Sequence, residues 1–255
     1  MLTNFNNKIV LITGGSRGIG RACALLFSNL GATVIITYKS NVTEATNTLD
    51  MLSKGPNHSM VQLDITNAES IESVFKEVIN QYNRLDVLVN NAGVFIEHKL
   101  NEVSYEEWQH TWNETLSTNL IGVSNLCYFA GRQMIGQQYG KIINISSRGA
   151  FRGEPDHPAY GASKAGLNAM SQSLAMYLGK HNVVVGLVAP GFVETEMVSS
   201  LLASDEGERI KKQSPFNRVA TPDEVARVVA AFASDGVEFM SGGIIDVNGA
   251  SYLRS

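Results

Sequence analysis

Cysteine is nearly missing from this chain: Cys23 and Cys127 are the only two in 255 residues. They form no Cys-x-x-Cys pair, and each falls in an apolar helical pattern, so both are expected to be reduced, buried thiols with no role as staple, metal ligand or redox couple. An excess of positive charge is also missing. Twenty Lys and Arg stand against 24 Asp and Glu, a formal charge of −4, which excludes the basic field that draws nucleic acid or anionic lipid. No apolar run approaches the roughly 18 residues needed to span a membrane. The N-terminal MLTNFNNKIVLITGG has neither the charged start nor the cleavage site of a signal peptide. The five histidines are scattered, without metal-ligand spacing and without a partner arrangement for a serine nucleophile. Blocks of like charge are short and 44% of residues are hydrophobic, which excludes disorder. The expectation is a reduced, soluble, cytoplasmic protein with no nucleic-acid or membrane partner.

What is present is a regular alternation. A chain of 255 residues suits one domain over residues 1–255, since α/β folds of this size are routinely single, and it buries about 70–75% of its unfolded surface. Apolar, β-branched runs at Ile9–Thr13, Thr33–Thr37, Met60–Leu63, Val87–Val89, Ile142–Ile145, Val183–Val188 and Gly243–Val247 predict seven strands. Their continuous hydrophobicity is what a sheet covered on both faces requires. Helical patterns lie between them at Gly18–Leu30, Thr43–Leu52, Ala68–Tyr82, Tyr105–Gln133, Ala159–Leu178 and Asp223–Ala233. The pattern predicts an α/β fold, a doubly wound parallel sheet of seven strands with helices on both faces. Four irregular stretches, Gly14–Arg17, Asn90–His98, Ser147–Pro158 and Pro190–Ser214, follow strand C-termini, the edge where open α/β sheets bind ligands. The last is long enough to be a substrate lid, although its charge run DEGERIKK also fits a solvated helix face.

The first strand runs into Gly14-Gly15-Ser16-Arg17-Gly18-Ile19-Gly20 and then a helix. Glycine is needed where the backbone turns tightly, nears a pyrophosphate, or lets a helix pack on a strand, and the helix N-terminus offers free N–H groups to phosphate. The spacing is Gly-x-x-x-Gly-x-Gly, so position between first strand and first helix is what argues for a dinucleotide. The second strand ends Thr37-Tyr38-Lys39-Ser40 without the carboxylate that would bind free ribose hydroxyls. Lys39, the Ser40 hydroxyl and Arg17 are expected to converge on a 2′-phosphate, favouring NADP(H) over NAD(H).

Tyr160 and Lys164 are separated by one helical turn, so phenol and ammonium share a face. A phenol titrates near pH 10, and a nearby cation is expected to lower that value towards useful proton transfer. Ser147 comes at the end of the strand KIINIS, directly after it, on the same edge, where its hydroxyl could polarise a carbonyl. Adjacent strand residues face opposite ways, so only one of Ser146 and Ser147 can serve. His157, in the loop before Tyr160, is read as a loop residue.

These motifs together resemble the short-chain dehydrogenase/reductase family. They are TGGSRGIG at 13–20, Asp64 after the third strand, NNAG at 90–93, Asn119 in TNLIG, Ser147, the Tyr160/Lys164 pair and PGFVET at 190–195, in order over about residues 7 to 250. Within that family the pattern is most similar to 3-oxoacyl-carrier-protein reductases. The resemblance implies a Rossmann-type fold and a catalytic tetrad of Asn119, Ser147, Tyr160 and Lys164. Tyr160 would be the general acid/base and Ser147 would position the carbonyl. Lys164 would bind the nicotinamide ribose and lower the Tyr160 pKa, and Asn119 would hold a water of the proton relay. It further implies that Gly14, Ser16, Arg17, Gly18, Ile19 and Gly20 cradle the cofactor phosphates, that Asp64 and Ile65 contact the adenine, and that Asn90, Ala92 and Gly93 line the cofactor. Pro190, Gly191, Val193 and Thr195 would hold the nicotinamide end. Asn119 could instead be a structural asparagine that bends its helix.

The function expected is therefore NADPH-dependent reduction of a carbonyl, a 3-oxoacyl group or related ketone, to a secondary alcohol. A dehydrogenase using NAD on a sugar, polyol or other alcohol is the rival. A non-catalytic dinucleotide-binding regulator is the remote one, since such proteins typically lack the Tyr or Lys kept here. The substrate is expected to be a small carbonyl or alcohol, free or carrier-bound. Little basic surface is available for an acidic carrier, and Arg152, Glu154, Asp156 and His157 could face a polar small molecule instead. The helices 105–133 and 159–178 are apolar over more than one face, which, with the family expectation, points to a homotetramer.

Overall fold

The β-branched runs form seven parallel strands in a computed structural model that describes residues 4–254. They are β1 (Ile9–Ile12), β2 (Thr33–Tyr38), β3 (Ser59–Gln62), β4 (Val87–Asn90), β5 (Gly140–Ile145), β6 (Val183–Pro190) and β7 (Ile244–Val247), in the order β3-β2-β1-β4-β5-β6-β7. The helices are α1 (Gly18–Asn29), α2 (Val42–Met51), α3 (Ala68–Tyr82), α4 (Tyr105–Leu116), α5 (Val123–Gln137), α6 (Gly149–Arg152), α7 (Pro158–Leu178), α8 (Ser199–Leu202), α9 (Asp205–Lys212) and α10 (Pro222–Ala233). Strands β1, β4, β5 and β6 are buried along their whole length, because helices cover both faces. Phe27, Val229 and Phe232 pack with Val10 and Ile143 on one side, and Ile71, Leu126 and Leu167 with Leu11 and Ile142 on the other.

Local chemistry sets several boundaries. Ser104 and Thr221 begin α4 and α10 with reciprocal capping boxes to Glu107 and Glu224. Asn83 and Gln138 end α3 and α5 in left-handed conformation, φ 57° and 53°. Asp86, fully buried, accepts the Ile9 N–H at 2.8 Å and two bonds from Arg84 at 2.6 and 2.9 Å, which ties the start of β4 to β1. Cys23 and Cys127 are free and buried, and burial pushes both thiols up to about 12. Among the described residues no helix is long and apolar enough to cross a membrane.

Two expectations need correction. The helix expected over Tyr105–Gln133 continues to Gln137 and is broken by a π-helical turn at Ser117–Gly122, where the ladder takes in an extra residue. There Gly122 lies against the Ile65 carbonyl, where a side chain would clash, and Asn119 turns inward to the backbone of Val94. The stretch Pro190–Ser214 is mostly helical, its charge run forming α9. Gly207 and Ile210 are the buried positions of that helix, and the charges face outward.

Candidate active site

The strand order reverses between β1 and β4, which opens a crevice at the strand C-termini. A cleft of about 590 Å3 lies there, walled by the glycine turn, the ends of β2, β4, β5 and β6 and the loops that follow them. Gly14 and Gly18 have φ of +62° and +53°, a region that side chains rarely adopt. A Cβ on Gly14 would also stand 3.1 Å from the Ala92 Cα. The Ser16 carbonyl accepts from Arg21 Nη2 at 2.5 Å and from Thr48 Oγ1 at 2.9 Å. Asn91 Nδ2 donates to the Thr13 and Gly14 carbonyls, both at 3.0 Å. The first turn of α1 has no side-chain cap and no acidic residue, so its N–H groups are left for a phosphate. The turn fits a dinucleotide pyrophosphate.

Arg21, Thr48 and Asn91 were not singled out from the sequence; Arg21 reaches back from the first turn of α1, and tertiary structure brings Thr48 and Asn91 to the turn. Two expected cofactor residues lie behind the cleft instead of on it. Gly20 is packed on the Gly14 carbonyl, where a side chain would clash. Asn90 is buried and donates to Asn144 Oδ1 at 2.7 Å, because strand alternation turns it into the core and leaves Asn91 on the cleft. Ser16, Arg17, Gly18, Ile19, Lys39, Ser40, Asp64, Ile65, Ala92, Gly93, Pro190, Gly191, Val193 and Thr195 all line the cleft. The cations expected to converge are each beside an acid: Lys39 Nζ is 3.0 Å from Asp64 Oδ2, and Arg17 Nη1 is 3.8 Å from Glu196 Oε2.

Ser147, Tyr160 and Lys164 meet on the wall beyond β5. Lys164 is buried and donates to the Ile145 carbonyl at 2.8 Å, which draws α7 onto the end of β5. Ser147 Oγ accepts the Gly149 N–H at 3.0 Å, while Ser146 Oγ donates to Asn168 at 2.6 Å. Asn119 is fully buried. Its Oδ1 accepts the Val94 N–H at 2.8 Å, and its Nδ2 donates to the Val94 carbonyl at 2.9 Å and to Ser163 Oγ at 3.2 Å. These bonds position the loop after β4 against α7.

The electrostatics differ from the expectation for Tyr160. Burial pushes its phenol above the ordinary value, a hydrogen bond with Ser147 pulls it back, and the charge of Glu154 pushes it up further. The ammonium of Lys164 sits 5.7 Å from the ring centroid, but it is turned to the Ile145 carbonyl and is itself desolvated. Burial lowers Lys164 to about 8, so the cost of removing water exceeds what the pair gains.

The rest of the wall is aromatic and tightly pinned. Phe95 stacks on His157 with centroids 3.7 Å apart and meets Tyr160 edge-on at 4.7 Å. Burial lowers the His157 pKa. His98, which the scattered histidines gave no reason to pick out, is buried and accepts the Ala159 N–H on Nε2 at 3.2 Å. Its Nδ1 therefore carries the proton, towards the Ile96 carbonyl at 2.9 Å. That bond ties the loop after β4 to the residue preceding Tyr160. Arg148 donates to Ser251 Oγ at 2.6 Å and to Gln213 Oε1 at 2.8 Å, joining three distant parts of the chain.

Comparison with known proteins agrees with this geometry. Residues 14–250 match the model of a family described as enoyl-(acyl carrier protein) reductase. The chain is 36% identical over 253 residues to the 3-oxoacyl-[acyl-carrier-protein] reductase FabG of Aquifex aeolicus, covering 99% of this chain and 100% of that protein. It is 38% identical over 251 residues to the FabG of Escherichia coli, covering 98% and 99%. The crystal structure of gox2181 superimposes with a TM-score of 0.89 at 33% identity, covering 97% of this chain and 96% of that one.

Lys164 generates a pH prediction. Its folded pKa, about 8, lies below the unfolded value, so between roughly pH 8 and 10.5 the unfolded chain binds more protons and stability rises with pH by up to about 1.4 kcal/mol per unit. Lys164→Met is expected to lose that rise. Denaturant titrations from pH 7 to 10.5 should show any stability advantage of the variant shrinking with pH, and parallel curves would refute the depressed pKa.

Proposed function

Because the chain belongs to the short-chain dehydrogenase/reductase family, we propose that it is an NADPH-dependent reductase that converts a ketone to a secondary alcohol with Tyr160 as general acid. The observation that carries this reading is the meeting of the Ser147 and Tyr160 hydroxyls on one cleft wall above the buried Lys164. Ser147 donates a hydrogen bond to the carbonyl oxygen and fixes its place. Tyr160 donates the proton that the same oxygen needs as it becomes an alcohol. A phenol held above its ordinary pKa keeps its proton at neutral pH, as the donor in a reduction must. Asn119 and His98 position the loop and helix around this pair.

When bound, the nicotinamide supplies the hydride, and that chemistry is the cofactor's own. Gly14, Ser16, Gly18 and Ile19 would hold its pyrophosphate, and Asp64 and Ile65 its adenine. Ala92, Gly93 and Lys164 would hold the nicotinamide ribose, with Pro190, Gly191, Val193 and Thr195 at the nicotinamide. Arg17, Lys39 and Ser40 would meet a 2′-phosphate. The ion pairs Arg17–Glu196 and Lys39–Asp64 are largely exposed and weak, so a dianionic phosphate can compete for both cations. The FabG relatives act, as their names say, on 3-oxoacyl groups of acyl-carrier protein, which supports a ketone substrate.

The reading also places the protein in the cytoplasm as a homotetramer. Met176 on α7 is 88% exposed and Tyr128 on α5 55%, an apolar surface suited to a partner copy.

Tyr160→Phe is expected to lower kcat by about 10²–10⁴-fold while NADPH affinity, read by nicotinamide fluorescence, changes only a few-fold. Turnover near the wild-type rate would reject Tyr160 as the acid. Lys39→Asp should reverse the preference between NADPH and NADH in side-by-side titrations, and an unchanged ratio would show that Lys39 misses the 2′-phosphate. Sedimentation velocity should give a species near four chain masses, and a monomer at micromolar concentration would end the tetramer assignment.

A further inference from the structure

One acid in the substrate half of the cleft has no part in the reaction just described. Glu154 lies between α6 and α7, six residues before Tyr160. Its side chain is 14% exposed and shares the cleft wall with Ser147 and Tyr160. Its nearest cation is Arg152, with Nε 4.0 Å from Oε1, beyond hydrogen-bond distance. The carboxyl thus keeps its acceptor sites free. Gly149 makes the approach to Ser147 possible: a Cβ there would stand 2.9 Å from Glu154 Cγ, 3.0 Å from Glu154 Oε1 and 3.3 Å from Ser147 Oγ. Glu154 is close enough for its charge to be felt at the Tyr160 phenol, and burial raises its own pKa while Arg152 and Arg148 pull it down.

This arrangement discriminates among substrates. An alkyl chain laid against the carboxyl would strip its water and return no hydrogen bond. An anion would meet Glu154 itself, and a cation would meet Arg148, which lines the same wall. A neutral hydroxyl suits the wall, since it donates to the carboxyl and brings no charge to either group. Ser147 marks where the carbonyl oxygen binds, so a hydroxyl reaching Glu154 belongs on a carbon next to the carbonyl.

Resting on the reading of the site as a ketone reductase, we propose that Glu154 is a specificity-determining residue that selects α-hydroxyketones, accepting a hydrogen bond from the hydroxyl beside the reacting carbonyl. The protein would then differ in substrate from a reductase of unsubstituted acyl chains.

The test is NADPH-dependent reduction of 1-hydroxy-2-butanone, 2-butanone and acetoacetyl-CoA by the full chain and by Glu154→Leu and Glu154→Gln. The quantity read is the ratio of kcat/KM for the hydroxyketone to that for 2-butanone, because comparison between variants cancels the intrinsic reactivity of the two ketones. The ratio should fall about tenfold in Glu154→Leu, chiefly through KM, and about threefold in Glu154→Gln, whose neutral amide oxygen is a weaker acceptor. If the leucine variant does not fold, the glutamine variant alone decides. A ratio unchanged from wild type overturns the proposal, as does wild-type preference for acetoacetyl-CoA over the hydroxyketone. Failure to reduce any of the three while NADPH still binds would instead sink the ketone-reductase reading, and the proposal with it.

Discussion

Lys164 reaches from α7 to the last carbonyl of β5, and that single charge-assisted hydrogen bond at 2.8 Å joins the two elements on which the chemistry stands. β5 ends in Ser147's segment, and α7 carries Tyr160. Two neutral bonds, Asn144 to Ser171 at 2.8 Å and Ser146 to Asn168 at 2.6 Å, continue the same seam along the helix. The ammonium is buried to make it, and the cost appears as its depressed pKa. The same helix is held from its other side by Ser163, which accepts from Asn119, and at its start by the His98–Ala159 bond. Polar contacts along its length thus position a helix whose other buried residues are mostly small or apolar.

The π-helical turn at Ser117–Gly122 belongs to the same logic. One inserted residue rotates Asn119 out of the regular ladder and into the backbone of Val94, at an entropic and hydrogen-bonding cost that a plain helix would avoid. In return the loop after β4 is pinned where Gly93 must pass close to both Asn119 and Lys164, 3.1 and 3.7 Å from where a Cβ would be. Gly93 is needed there because the channel between those two side chains has no room to spare.

Much of this was legible in the residues. Uninterrupted apolar strands such as IVLI and VVVGLVAP could only belong to a sheet covered on both faces, and all seven are found parallel. The glycine turn, Ser147 and the Tyr160/Lys164 pair lie where strand ends and helix spacing put them. What escaped depends on contacts between remote segments. His98 has no motif, and its role comes from the Ala159 N–H 61 positions later. Asn90 and Asn91 are equivalent as letters, and only the register of β4 turns one inward. The sign of the Tyr160 shift could not be read from spacing either, because residues four apart share a face whether or not water reaches them, and burial decided it.

The two halves of the cleft differ in when they can exist. The strands, helices and side chains that hold the glycine turn's backbone, from β1 to Ala92, precede residue 93, so the turn can assemble from a partial sequence. The loop beside Ser147 is different, because Arg148 takes its partners from Gln213 and Ser251, 65 and 103 residues later. A chain folding from its N-terminus can therefore build the pyrophosphate-binding turn early, whereas the part that meets the nicotinamide and the substrate closes only when the last strand docks. Completion of the reactive wall and completion of the sheet are one event.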